Sequence, residues 1–166
     1  NKDGIKKREQ PEDGSPFCGG ESMEFHPIVR AAGPRDAGAF AWLNRQFNGE
    51  GVASEEEAAA ALSQPGPERV LLAFVEEEPA GFLCGLLKRS ACYGEPSAEV
   101  TELYVRPEHR RRGVARALLE QFLAACRREG VREVTVLTGD DNRTARAFSE
   151  TLGFSCSGAV HYPQEL

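Results

Sequence analysis

The run from Ala98 to Cys126 constrains this chain most. Ala98 to Val105 (AEVTELYV) is rich in β-branched and aromatic residues and reads as a strand. Val114, Leu118, Phe122 and Cys126, with Leu119 and Ala125 beside them, repeat every fourth residue and read as an amphipathic helix ended by Gly130. Between the two lies Arg106-Pro107-Glu108-His109-Arg110-Arg111-Arg112-Gly113. Arg-Arg-Arg alone is usually a solvated basic face. At a helix start it makes an anion cradle: first-turn N–H groups point outward, the helix dipole adds partial positive charge, and arginines add charge-assisted bonds. Gly113 lets a ligand approach the backbone, and Ala115 keeps the first turn open. The ligand implied is a phosphate or pyrophosphate.

Other elements fit around this unit. His26 to Ala31 reads as a first strand and Arg35 to Phe47 as a helix. Ser54 caps a second helix, with Glu57 completing a capping box. Arg69 to Glu76 and Ala80 to Lys88 form a hairpin through Glu77-Glu78-Pro79, and Val131 to Leu137 is a strand. Asn142 caps a helix ended by Gly153, and Phe154 to Tyr162 supplies one or two terminal strands. The order β-α-α-β-β-β-α-β-α-β(β) predicts an α/β class, a mixed sheet flanked by helices. With 166 residues, 40% of them hydrophobic, the chain suits one domain over residues 23–166. Residues 1–22 are polar, Gly/Pro-rich and aperiodic, and they precede the sole methionine, Met23. They read as a disordered or foreign extension with no apolar signal segment.

Several functions are excluded. A net charge of −6 disfavours nucleic acid as a partner, and no apolar run is long enough for a membrane-spanning helix. Five cysteines, odd in number and without a CxxC pair, point to a reducing, cytoplasmic setting rather than a disulfide scaffold or zinc site. His26, His109 and His161 lack ligand spacing, so no metal is expected. GxxxxGK[ST], GxGxxG, GxSxG and HExxH are all absent.

Arg110-Arg111-Arg112-Gly113-Val114-Ala115 resembles the (Q/R)xxGx(G/A) acetyl-CoA motif of the GNAT superfamily of N-acetyltransferases. Glu102 to Glu108 resembles that superfamily's fourth strand, and Asn142 to Phe154 its fourth-helix signature. The likeness implies the GNAT acyl-CoA N-acyltransferase fold. It implies acetyl transfer from acetyl-CoA to a primary amine, without a metal. Backbone groups of Leu103, Tyr104 and Val105 would bind the pantetheine arm like an added strand. The loop and first turn from Arg110 to Arg116 would take the pyrophosphate, through N–H groups of Arg111, Gly113 and Ala115. Asn142 would bond near the thioester, with Ala145, Phe148 and Ser149 along the channel.

Amine chemistry then demands a base, because a protonated amine cannot attack a thioester. A backbone N–H near Val105 would face the developing oxyanion. Glu99 and Glu102 lie in the right strand. Three apart, they face opposite ways unless a bulge intervenes, and Glu102, just before Leu-Tyr-Val, is favoured. The tyrosine acid expected after Phe148 is Ser149 here. Tyr162 or Tyr104 could replace it, the thiolate could leave unaided, or the chain could be a non-catalytic acyl-CoA sensor.

In this superfamily the acceptor site is built mainly from the first two helices, their loop and the terminal strands. That loop here carries Asn48, Glu50, Glu55, Glu56 and Glu57, the hairpin turn adds Glu76 to Glu78, and Asp140 and Asp141 precede the last helix. If these line the cleft, the acceptor is a polycationic amine, and the segments resemble those of GNAT-type aminoglycoside 3-N-acetyltransferases. A protein N-terminus or lysine is the alternative. Relatives that pair through terminal strands leave a homodimer open.

Overall fold

A computed structural model describes residues 26–159 together with 163 and 164. Five strands and four α-helices are formed among them. β1 (Ile28–Ala31) leads through a 3₁₀ turn (Pro34–Asp36) into α1 (Ala37–Asn48) and α2 (Glu55–Ser63). β2 (Glu68–Val75), β3 (Glu78–Lys88) and β4 (Ser97–Val105) follow. Then come a 3₁₀ turn (Pro107–His109), α3 (Val114–Arg128), β5 (Glu133–Val136) and α4 (Arg143–Thr151). The sheet runs in chain order, antiparallel throughout except for the parallel β4–β5 pair.

Local signals hold. Ser54 Oγ accepts from the Glu57 amide, and Glu57 Oε2 accepts from the Ser54 amide, closing the capping box at α2. Asn142 Oδ1 caps α4 by accepting from Ala145. The hairpin differs from expectation. Its turn is Glu76-Glu77, both at positive φ, and Pro79 lies inside β3. A bulge there leaves Ala80 as the extra residue, and a bulge tolerates a proline that cannot donate.

Each sheet face has its own core. On one, α3 lays Val114, Leu118, Leu119, Phe122 and Cys126 over Leu71, Leu83, Ala98, Val100 and Val105. Gly85 is required here, since a Cβ on it would stand 2.3 Å from the Phe122 ring. On the other, Leu43 of α1 packs on Val70, Leu72, Phe82, Cys84 and Tyr104, with Phe40 and Leu62 alongside. The strand expected from Phe154 onward is not formed over 154–159, where Gly158 takes φ 69° and no ladder partner engages the chain. Residues 160–162, Tyr162 among them, and the expected extension at 1–22 lie outside the described residues.

Candidate active site

β4 carries the site. Among the described residues it pairs with β5 only from Ser97 to Val100, then continues to Val105 bound to β3 alone. The edge from 101 to 105 is open toward β5. Arg106 N–H donates to Ala80 O, which sets the alternation along the ladder. Glu102 and Tyr104 therefore bond to β3, while Leu103 and Val105 turn their backbone groups to the open side. Arg110 Nε donates to Val105 O at 3.0 Å, leaving the Val105 N–H facing the gap. Tyr104 departs from expectation. Its backbone belongs to β3, and its side chain is buried in the α1-side core.

The cradle lies beyond Val105. Arg111 at φ 62° and Gly113 at φ 80° turn the loop into the first turn of α3. The first backbone bond back into the loop is Ala117 to Gly113 O. Among the described residues, none of the N–H groups of Arg111, Gly113, Val114, Ala115 and Arg116 has a backbone acceptor before it. A Cβ on Gly113 would meet nothing within 4 Å, so the concavity is open. N–H donors without a backbone acceptor, on a turn with alternating backbone hand, form an anion nest, which fits the pyrophosphate of an acyl-CoA. His109 is buried at the base of this loop, and neither ring nitrogen has a partner among the described residues.

The two glutamates meet on one face. Cys84 pairs with Glu102 and Gly85 with Val100, so Thr101 is an extra residue in β4. The bulge cancels the odd spacing. Glu102 stands opposite Cys84 and Glu99 opposite Leu86, both on the α1 side. Their surroundings separate them. Glu99 Oε2 accepts from Lys88 Nζ at 2.9 Å. Glu102 is half-buried and has neither a hydrogen bond nor an ion pair among the described residues. Burial pushes the Cys84 thiol far above its ordinary value, and the carboxylates of Glu68 and Glu102 add to the rise. Glu68 of β2 stands opposite Leu86, as Glu99 does from the other flank of β3.

The remaining candidates are spread out. Asn142 uses its Oδ1 on the cap of α4, and Ala145 and Ser149 are half-buried on that helix. Phe148 packs with Leu152 and Phe154 against the α3-side core rather than standing free in a channel. Asn48 donates to Asn44, and the exposed Glu50 pairs with Arg45 at 3.6 Å. Asp140 and Asp141 lie in the loop before α4. No hydrogen bond or ion pair among the described residues joins them to Asn48 and Glu50. Among the described residues no three His, Cys, Asp or Glu side chains gather into a metal-ligating group. No helix there is long and apolar enough to cross a membrane. The contacts missed in sequence are aromatic. Phe47, on the last turn of α1, stacks on Tyr104 at 5.2 Å, and Phe40 meets Phe82 edge-on at 5.3 Å.

The profile of the Acetyltransferase (GNAT) family matches residues 37–154, which hold the open edge, the cradle and the capped α4 together. The chain belongs to the GNAT acetyltransferase family. It is 32% identical over 83 residues to N-acetyltransferase 8 of Homo sapiens, a match covering 50% of this chain and 37% of that protein. It is 31% identical over 83 residues to the thialysine N-epsilon-acetyltransferase of Caenorhabditis elegans, covering 50% and 51%. The matches thus span about half or less of those relatives. An aminoglycoside acetyltransferase from an uncultured soil metagenomic sample, solved with sisomicin, shares the fold at a TM-score of 0.75. It is 19% identical, over 84% of this chain and 96% of that one. GNAT acetyltransferases use acetyl-CoA, and the open cradle suits it.

Proposed function

We propose that this GNAT domain transfers the acetyl group of acetyl-CoA directly to a primary amine. The observation that carries the reading is Glu102. Among the described residues it is an unpaired, half-buried carboxylate, turned by the Thr101 bulge to the α1 side of the strand whose far edge is open. Glu102 accepts a proton from the acceptor ammonium, directly or through water, so the neutral nitrogen can attack. The Val105 N–H faces the gap where negative charge develops on the thioester oxygen. Arg111, Gly113, Val114, Ala115 and Arg116 hold the diphosphate with backbone N–H groups, and Arg110 braces Val105. Acetyl-CoA itself supplies an activated acyl group whose thiol leaves readily. Departure without a phenolic acid is consistent with Ser149 at the position where relatives carry tyrosine.

An aminoglycoside is the first acceptor we propose, supported by the acidic α1–α2 loop and by the sisomicin-bound protein of like fold. A lysine-type or protein amine is the second. Favouring it, Glu57 closes a helix cap, Glu50 pairs with Arg45 and Glu78 lies near Arg106, so several acids expected to bind a polycation already have partners. The test is release of CoA thiol from acetyl-CoA against a panel of aminoglycosides, polyamines and lysine-containing peptides. Release with an aminoglycoside alone supports the first acceptor, and release with peptides alone the second. Acetyl-CoA binding without release for any amine overturns catalysis in favour of a sensor.

A further inference from the structure

Arg106 follows the last residue of β4, and its side chain is only 18% exposed. Four neighbours hold it. Nη1 donates to Pro79 O at 3.0 Å and lies 3.6 Å from Glu78 Oε2, both at the start of β3. Nη2 meets Glu108 Oε1 at 2.5 Å, in the 3₁₀ turn that opens the phosphate loop. The guanidinium carbon sits 4.8 Å over the ring of Trp42 on α1. Trp42 is 40% exposed, and its ring keeps this cation–π contact at the protein surface. The same helix stacks Phe47 on Tyr104, two residues beyond Glu102 on the same face.

One planar side chain thus ties three separately connected elements to the end of β4: the hairpin, the acceptor-side helix and the donor loop. We propose that Arg106 is a positioning residue for acetyl transfer. It sets the phosphate loop through Glu108 and the acceptor helix through Trp42. The proposal rests on the acetyl-transfer reading. The geometry uses a fork and a flat face together, which a lysine ammonium cannot supply. Placement errors of about 1 Å at such a junction cost about a hundredfold in rate.

The test splits the two arms. Glu108→Gln should raise the acetyl-CoA Kd and KM about fivefold while the acceptor KM stays within twofold. Trp42→Leu should raise the acceptor KM about fivefold while the acetyl-CoA Kd holds. Arg106→Lys should move both constants and lower kcat about tenfold, with Arg106→Lys/Glu108→Gln less than additive on acetyl-CoA. Thermal midpoints of all variants are measured beside the kinetics. A fall in midpoint with every kinetic constant within twofold makes Arg106 merely structural and overturns the proposal. So does an identical kinetic profile for Trp42→Leu and Glu108→Gln. If the unaltered protein binds acetyl-CoA but turns over no amine, the acetyl-transfer reading fails, and the calorimetric Kd values of Glu108→Gln and Arg106→Lys still decide the donor arm.

Discussion

Replacing Glu102 by glutamine keeps the shape of the side chain and removes only its basicity. The carboxylate has no partner among the described residues to leave stranded, so the fold should be unaffected. An alkylamine of pKa about 10.4 is free in about one molecule in 2,500 at pH 7. A positioned base is worth about 10² to 10⁴ in rate. We expect kcat/KM of Glu102→Gln at pH 7 to fall about 300-fold, about 3.4 kcal/mol at 1.36 kcal/mol per decade. The acetyl-CoA Kd should stay within about twofold. The deficit should shrink with pH, because hydroxide does what the carboxylate did. From pH 7 to 9 the variant should gain about tenfold per unit. Glu99→Gln is the internal control. Glu99 already holds Lys88, so its loss should cost less than about tenfold. The assay is CoA thiol release across that pH range. A Glu102→Gln rate within about threefold at pH 7, or a deficit constant with pH, would refute the assignment. A larger loss in Glu99→Gln would move the base to Glu99.

Three further outcomes follow from the geometry. Gly113→Glu should weaken acetyl-CoA binding at least about 100-fold by calorimetry, whereas Gly113→Ala, which adds backbone strain at φ 80° and a single uncharged methyl, should weaken it less. Gly85→Ala should destabilise by about 1–3 kcal/mol in chemical unfolding, since its methyl would overlap the Phe122 ring, and Phe122→Leu in the same chain should recover part of the loss. Arg30 grips both oxygens of Asp36 at 2.6 and 2.7 Å and holds its carboxyl below the ordinary value. A depressed folded value means stability present above pH about 3.9 and lost as pH falls through the folded value. Arg30 is half-exposed, so screening keeps the pair below about 1 kcal/mol. Asp36→Asn should melt slightly lower at pH 7, with the gap closing in acid. A gap that persists at pH 2 would show that the loss is not ionic.

What the sequence determined by itself is what local chemistry decides. The four-residue repeat from Val114 to Cys126, the Ser54–Glu57 box and the Asn142 cap each depend on neighbours within a helical turn, and all three stand in the structure. The basic loop before Gly113 was legible for the same reason, because a strand, an arginine run and a helix start are adjacent in the chain. Pairing across the sheet was not legible. The Thr101 bulge exists because β3 and β4 settle into register around it, and a bulge has no signature in a segment as uniformly β-prone as AEVTELYV. That one extra residue decides that Glu99 and Glu102 share a face. Side-chain pairing decides the rest. Lys88 lies eleven positions from Glu99 and occupies it, while Glu102, three positions farther, stays unpaired. Carboxylates counted as a possible acceptor lining turned out to serve a cap, an ion pair and the surroundings of Arg106. Composition records how many charges a chain carries, but only packing decides which are already satisfied, and that is why the proposed base is Glu102 rather than Glu99.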